Sequence, residues 1–395
     1  MAIMYIVPKP VPHWNEKHSH LMKTSVYNGG TTVEGMRQME QKTRDLFKTL
    51  TELPGAPGFE SDVRQFVRDR ITPHADEIMT DGIGSIFGKR TGDEAGPRIM
   101  VAGHMDEVAF MVTRITDNGM LYIQPLGGWW SQVLMAQRFD IVTNDGKIPG
   151  VVASTPPHLL GPDAMNKPMD MKQMFIDIGA DSKEEAESWG VRPGLPAVPT
   201  SDFTPLKHPK KIMAKAWDNR YGVGLAIELL EETTKADHPN ILFSGATVQE
   251  EVGLRGAQTA AEMIQPDVAL VLDASPANDA SGNKTEFGQL GEGALIRILD
   301  RVMVMSPEMR DFLLDTASDE NIKTQYFVSP GGTDAGRIHL SGQGVPTAVI
   351  GVAARYIHTH ASILHTDDYD AAKALLKALV KRLDRSTMET LRGSR

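Results

Sequence analysis

The chain has 395 residues, 41% hydrophobic and 23% charged, ordinary proportions for a globular protein with room for two domains. Its formal net charge of −10 argues against a general binder of nucleic acid or of an anionic membrane, since both need a basic face. With no cysteine there is neither a disulfide nor a thiolate metal site, so His, Asp and Glu would have to hold any metal. No apolar run approaches the ~20 residues of a membrane span, and the absence of cysteine fits a reducing cytosol, so a cytoplasmic location is expected.

Residues 1–35 carry Pro8, Pro10, Pro12, His13, His18 and His20 without periodicity, and lack the basic start, apolar centre and cleavage site of a signal peptide. They are expected to be a leader added in cloning or a mobile extension ahead of Met36, with Gly393-Ser394-Arg395 as a cloning remnant. Met39, Leu46, Leu50 and Leu53 predict an amphipathic helix that stops at Pro54-Gly55. Gly58-Phe59-Glu60-Ser61 opens a second helix, with Val63, Phe66, Val67 and Ile71 on one stripe. Strands follow at 77–79 and 83–87, and the continuous apolar run 99–102 reads as a strand buried on both faces. That run ends on Gly103-His104-Met105-Asp106-Glu107.

Between about residues 108 and 211 the texture changes. Short β-like pieces (108–115, 120–124, 139–143, 150–154) alternate with Asn118-Gly119, Gly127-Gly128 and Asp145-Gly146, and prolines crowd the exit. Beyond them, strands at 241–248, 268–272, 294–299, 324–328 and 347–352 are interleaved with helices at 218–234, 255–264, 307–318 and 369–383. The predicted architecture is a mixed-sheet α/β-α sandwich over 36–107 and 212–390, split by an inserted small β-barrel-like domain at 108–211.

Ligands of open α/β sheets sit beyond the carboxyl ends of the strands. His104 and Asp106 fall there after the 99–102 run, Glu250 and Glu251 after 241–248, Asp273 after 268–272 and His358 after 347–352. Asp218 opens the helix that follows the insertion. Adjacent side chains within a strand point to opposite faces, so Glu250 and Glu251 share a site only because the strand has ended. Each residue alone has a plain structural reading: Asp218 as a helix cap, Asp273 as a turn former, His104 as a satisfied core histidine. Together they supply two imidazoles and several carboxylates without sulfur, a set that suits two closely spaced divalent ions with a bridging carboxylate.

The motifs Ala102-Gly103-His104-Met105-Asp106-Glu107, Trp217-Asp218-Asn219-Arg220, Gln249-Glu250-Glu251-Val252-Gly253, Asp273-Ala274-Ser275, Pro330-Gly331-Gly332-Thr333-Asp334-Ala335-Gly336 and Arg355-Tyr356-Ile357-His358-Thr359 occur in one order. In that order the chain resembles the glutamyl aminopeptidase/TET family of dinuclear metal aminopeptidases, some members of which carry a cellulase or endoglucanase label. The resemblance spans residues 36–383. It implies a zinc-peptidase-like catalytic domain that hydrolyses N-terminal residues from peptides. One metal would take His104, Asp218 and Asp273; the other would take Asp218, Glu251 and His358. Asp106 would orient His104, and Glu250 would be the general base on a shared water. His360 and His365 lie close by; His358 is preferred because it directly follows Arg-Tyr-Ile, which leaves the other two as surface or supporting groups. Zinc leads, with cobalt or manganese as alternatives, since all accept these ligands.

The resemblance also implies that the insertion makes dimer contacts and that dimers assemble into a dodecamer. Trp129-Trp130 is read as an aromatic pair plugging a core or, alternatively, as an exposed loop reaching a neighbour's active site. Trp129, Trp130, Val133, Leu134 and Met135 together form more apolar surface than a short loop normally exposes. Three other readings stay open: a related two-metal dipeptidase, carboxypeptidase or deacylase; a glycosidase built on Glu250 and a second carboxylate; and a silent scaffold.

Overall fold

The computed structural model describes residues 39–159 and 167–393. The expected leader at 1–35 lies outside them, as do Ser394 and Arg395.

The strands, numbered in chain order, are β1 (Glu77–Thr80), β2 (Ile86–Thr91), β3 (Arg98–His104), β4 (Ala109–Ile115), β5 (Leu121–Leu126), β6 (Arg138–Thr143), β7 (Gly146–Ala153), β8 (Phe175–Asp177), β9 (Pro196–Pro199), β10 (Thr204–Pro205), β11 (Lys211–Ala214), β12 (Ile241–Thr247), β13 (Val268–Pro276), β14 (Ala294–Leu299), β15 (Thr324–Val328), β16 (Thr347–Arg355) and β17 (Ser362–His365). They form one large mixed sheet in the order β1-β2-β12-β3-β13-β16-β17-β11-β10, with β14 and β15 branching from β16. Its centre, β12-β3-β13-β16, is parallel, so four carboxyl ends open on one edge.

Alternation along these strands explains the layers. Val101, Leu242, Leu270 and Ile350 pack against the helices Gln41–Glu52, Ser61–Ile71, Trp217–Glu232 and Thr366–Arg382. Their neighbours Met100, Phe243, Ala269 and Val349 pack on the other face, against Arg255–Ile264 and Ala335–Ile338. Gly103 permits a close approach of helix to sheet: a Cβ there would stand 2.6 Å from the backbone of Gly222 in the central helix.

The insertion closes on itself as a six-stranded barrel, β4-β5-β8-β7-β6-β9. Phe110, Phe139, Leu121, Ile141, Ile176 and Trp129 fill it. Two of its strands were not legible in the sequence. β8 is too short to alternate, and β9 runs from Pro196 to Pro199, residues that normally argue against a strand. It nonetheless pairs with Met111 and with Phe139, bridging β4 and β6. The strand expected at 83–87 starts instead at Ile86, because Asp81 Oδ1 accepts the amides of Ile83, Gly84 and Ser85 at 3.1, 2.7 and 2.9 Å and holds them in a turn. The aromatic pair is divided. Trp129 stacks on Phe110 at 5.3 Å and donates Nε1–H to Ala109 O at 3.0 Å, whereas Trp130 is 62% exposed. Leu134 is buried and Val133 packs on the barrel core, which leaves Trp130 and Met135 as the apolar surface of this loop.

The crossing from sheet to barrel, between β3 and β4, carries a buried charge network at Glu107. Lys215, just after β11, donates to Glu107 Oε1 and Oε2 at 2.6 and 2.7 Å, and Arg220 Nη2 lies 3.4 Å from Oε1. Arg220 Nε also donates to Met105 O at 2.8 Å. Burial, partly offset by Glu107, lowers the Lys215 pKa to about 8. Glu107→Gln leaves two buried cations short of their counter-charge and is expected to lower stability by roughly 3–5 kcal/mol. Urea unfolding checks this, and a loss below about 1 kcal/mol contradicts it.

Candidate metal centre

Four of the expected residues ride on strand ends because the parallel centre leaves its carboxyl ends free. His104 is the last residue of β3, and Glu250 and Glu251 lie in the turn after β12. His358 follows β16 in a left-handed conformation, φ 57°. Asp273 differs from the expectation: it lies inside β13, which continues to Pro276 by pairing with β16. Pairing of β13 with β3 stops at Val271, so from there the β3 side of the strand is open and Asp273 faces the gap.

Asp218 also differs. Its side chain makes no helix-capping bond, and residues 218 and 219 have non-helical dihedrals. Asn219 does the capping instead, accepting from Gly222 N at 3.0 Å while its Nδ2 donates to Leu272 O at 2.6 Å. The Asp218 carboxylate is thereby left for the site. Its Oδ1 lies 3.2 Å from His104 Nε2 and its Oδ2 lies 3.2 Å from His358 Nε2. Glu251 Oε1 is 3.3 Å from His358 Nε2, and Asp273 Oδ1 is 3.9 Å from His104 Nε2. Potential ligand atoms of His104, Asp218 and Asp273 all lie within 4.8 Å of one another, as do those of Asp218, Glu251 and His358. His104, Glu250 and Glu251 form a third such group.

Asp106 is placed beside His104, but its backbone carbonyl, not its carboxylate, makes the closer contact with the imidazole: 3.0 Å from Nδ1, against 3.4 Å for Oδ1. The carboxylate accepts the amides of Glu250 and Glu251, both at 3.0 Å. His358 is oriented by a group without a side chain, Gly128 O, 2.7 Å from Nδ1. That approach requires the glycine pair. A Cβ on Gly127, itself at φ 93°, would stand 3.0 Å from Glu251 Oε2, and one on Gly128 3.3 Å from His358 Nδ1. Asp334 comes in from the Pro330–Gly336 motif; it is buried and bonded to Thr247 Oγ1.

The electrostatics are those of crowded anions. Burial, with Asp273 and Glu251 alongside, pushes Glu250 well above the usual carboxylate range. Burial and Asp218 do the same to Asp273. Glu251 rises to about 7 and Asp334 to about 6, burial again leading. For Asp218 burial is outweighed by His104 and His358, which hold it below its usual range. For His358 burial is outweighed by Glu251 and Asp218, which raise it to about 10. Glu251 Oε1 and Asp334 Oδ1 are buried without a hydrogen-bond partner. Buried carboxylate oxygens without donors, beside imidazoles and with no sulfur, are a donor set suited to a divalent cation.

His360 and His365 are buried, not surface groups, and belong to none of the three candidate ligand groups. His360 packs edge-on to Phe139 at 4.9 Å with Nε2 3.2 Å from Arg138 O, and His365 Nδ1 accepts from Asp367 N at 3.3 Å. Burial lowers both pKa values from 6.5 to about 4. Each is neutral when folded and gains its proton on unfolding, so their contribution is whole above pH 6.5 and is lost as pH falls towards 4. His365→Asn keeps a capping group without a titrating one and is expected to remove about 1–2 kcal/mol of the acid destabilisation at about pH 5. Unfolding curves at neutral pH and at about pH 5 test it; an unchanged difference between them contradicts the assignment.

Residues 84–375 match the pattern of the M42 glutamyl aminopeptidases. The chain belongs to this family. It is 42% identical to the glutamyl aminopeptidase of Lactococcus lactis, over 86% of this chain and 96% of the relative. The M42 fold is found again in a TET aminopeptidase from a marine sediment thaumarchaeote, with a TM-score of 0.86 and 42% identity over 89% of this chain and all (100%) of the other. Pyrococcus horikoshii TET1 peptidase, which assembles into a tetrahedron or a large octahedral shell, matches with a TM-score of 0.77 and 30% identity, over 86% of this chain and 99% of the other.

Proposed function

We propose that this M42 member is a dinuclear metal-dependent aminopeptidase acting on peptides with a free N-terminus. The observation that carries the reading is Asp218, whose two oxygens each face a different imidazole at 3.2 Å. His104, Asp218 and Asp273 would hold one divalent ion; Asp218, Glu251 and His358 would hold the other, with zinc first and cobalt or manganese as alternatives. When bound, such ions make a coordinated water acidic and polarise a carbonyl. The chain's own part is positional and protonic. Glu250, beside the ligand set but outside both triads, takes the proton of the attacking water on its carboxylate and delivers it to the leaving amine. Asp106 holds the Glu250–Glu251 backbone, and Gly128 O fixes the His358 ring so that Nε2 faces Asp218.

A panel of aminoacyl chromogenic substrates with N-acetylated counterparts tests this. Release is expected from free amines alone and should vanish on chelation; equal cleavage of the acetylated series would overturn the aminopeptidase reading. The family resemblance, the TET1 assemblies and the exposed Trp130 and Met135 also support a homo-oligomer in which the inserted segment, residues 108–211, whose strands β4–β9 form the barrel, contacts a second subunit to form dimers that build a dodecamer. Light scattering at micromolar concentration decides that part: a monomer mass with undiminished activity contradicts it. Among the described residues no helix is long and apolar enough to cross a membrane.

A further inference from the structure

Three consecutive amides of the turn after β12 end on carboxylates from distant segments. Gln249 N donates to Glu60 Oε1 at 3.1 Å, Glu250 N to Asp106 Oδ1 and Glu251 N to Asp106 Oδ2, both at 3.0 Å. The carbonyls of the turn are used locally: Gln249 O accepts from Arg255 N, and Glu250 O from Gly253 N and Leu254 N. The amides therefore depend on outside acceptors. Gln249 is held at φ 55°, a left-handed conformation that residues with a side chain seldom adopt, and surrounding contacts must maintain it.

Asp106 is accounted for by its place beside His104. Glu60 is not. It stands at the N-cap of the helix Ser61–Ile71, where an acidic side chain ordinarily accepts amides of its own helix, yet it makes no such bond. Its Oε1 instead takes Gly58 N at 2.8 Å and Gln249 N across a sequence separation of 189. The residue is 3% exposed, so this carboxylate is buried where it meets the turn after β12.

We infer that Glu60 is a positioning residue: its Oε1 anchors Gln249 in the left-handed conformation and so aims the side chains of Glu250 and Glu251 into the site. The inference rests on the roles proposed above for those two glutamates. What it requires is an acceptor at the right reach rather than a charge. Glu60→Gln places an amide oxygen at the same distance and serves both amides. Glu60→Asp keeps the charge but falls one methylene short.

The test measures amide hydrogen exchange across residues 249–251 in chain freed of metal, then kcat and KM in metal-loaded enzyme on an aminoacyl substrate. For Glu60→Asp, exchange at Gln249 should quicken by ~10-fold or more. Its kcat should fall by ~10–100-fold while KM stays within about twofold. Glu60→Gln should match the parent within about threefold in both readouts. Unchanged exchange and kcat in Glu60→Asp overturn the inference. So does the reverse order, with Glu60→Gln impaired and Glu60→Asp normal, because charge would then be what matters. Equal losses in both, together with lowered melting temperatures, overturn it in favour of general support of the fold. Glu250→Gln run alongside keeps the two levels apart. Full turnover in that variant defeats the proposed function, whereas loss of turnover there with Glu60→Asp unaffected removes only Glu60's part.

Discussion

Asp218→Ala is expected to abolish peptidase activity and to lower the metal content of the chain at the same time. Asp218 belongs to two of the three candidate ligand groups and, among the described residues, its two oxygens face one imidazole each. Its pKa points the same way: burial alone would raise it, but His104 and His358 hold it below the usual range. Removing it takes a ligand from each ion and leaves two imidazoles facing each other without an anion between them. Loss of several kcal/mol of transition-state stabilisation corresponds to a fall in kcat/KM on the order of 10⁴-fold. Mass spectrometry under non-denaturing conditions reads the metal directly. Two tightly held ions per chain in the variant would refute the assignment of Asp218.

The second large effect separates neighbours. Glu250→Gln is expected to keep metal and to lose about 10²–10⁴-fold in kcat, the usual worth of a positioned general base. Glu251→Gln should instead weaken metal retention, because its Oε1, buried and otherwise without a hydrogen-bond partner, lies 3.3 Å from His358 Nε2. Both substitutions conserve shape, so a difference between them reports role rather than packing. Metal analysis and turnover on the same preparations settle it. Near-normal turnover in metal-loaded Glu250→Gln would remove it as the base.

The candidate site was legible where chemistry coincided with the end of an apolar run. His104 and the Glu250–Glu251 pair could be placed because a buried strand advertises itself by continuous hydrophobicity and its end by a glycine or a charge. Asp273 was located but its strand was cut short, because extension past Leu272 depends on pairing with β16, a contact distant in sequence. Gly128 O and the Asn219 cap were invisible: a carbonyl has no side-chain signature, and the cap reading fell on Asp218 instead of its neighbour. The fold followed the same division. The large sheet and its helices showed their periods, whereas β9 is a strand by position in a closed barrel, against its proline content. Trp129 and Trp130 looked like one feature and are two: Trp129 stacks on Phe110 in the barrel core and bonds Ala109 O, while Trp130 is exposed.

The Gly127–Gly128 contact means that the inserted barrel cannot be treated as a detachable module. Excising β4–β9, residues 109–199, would keep every acidic and imidazole side chain of the centre, yet it would delete the carbonyl that holds the His358 ring. The ring would then be free to turn about its Cβ–Cγ bond, and Nε2 would lose its bearing on Asp218 and Glu251. It would also remove Trp129 and Phe139, the aromatic wall against which His360 packs. A minimal catalytic domain engineered from this chain therefore needs a replacement backbone acceptor at that point, and grafting side chains alone will not supply one.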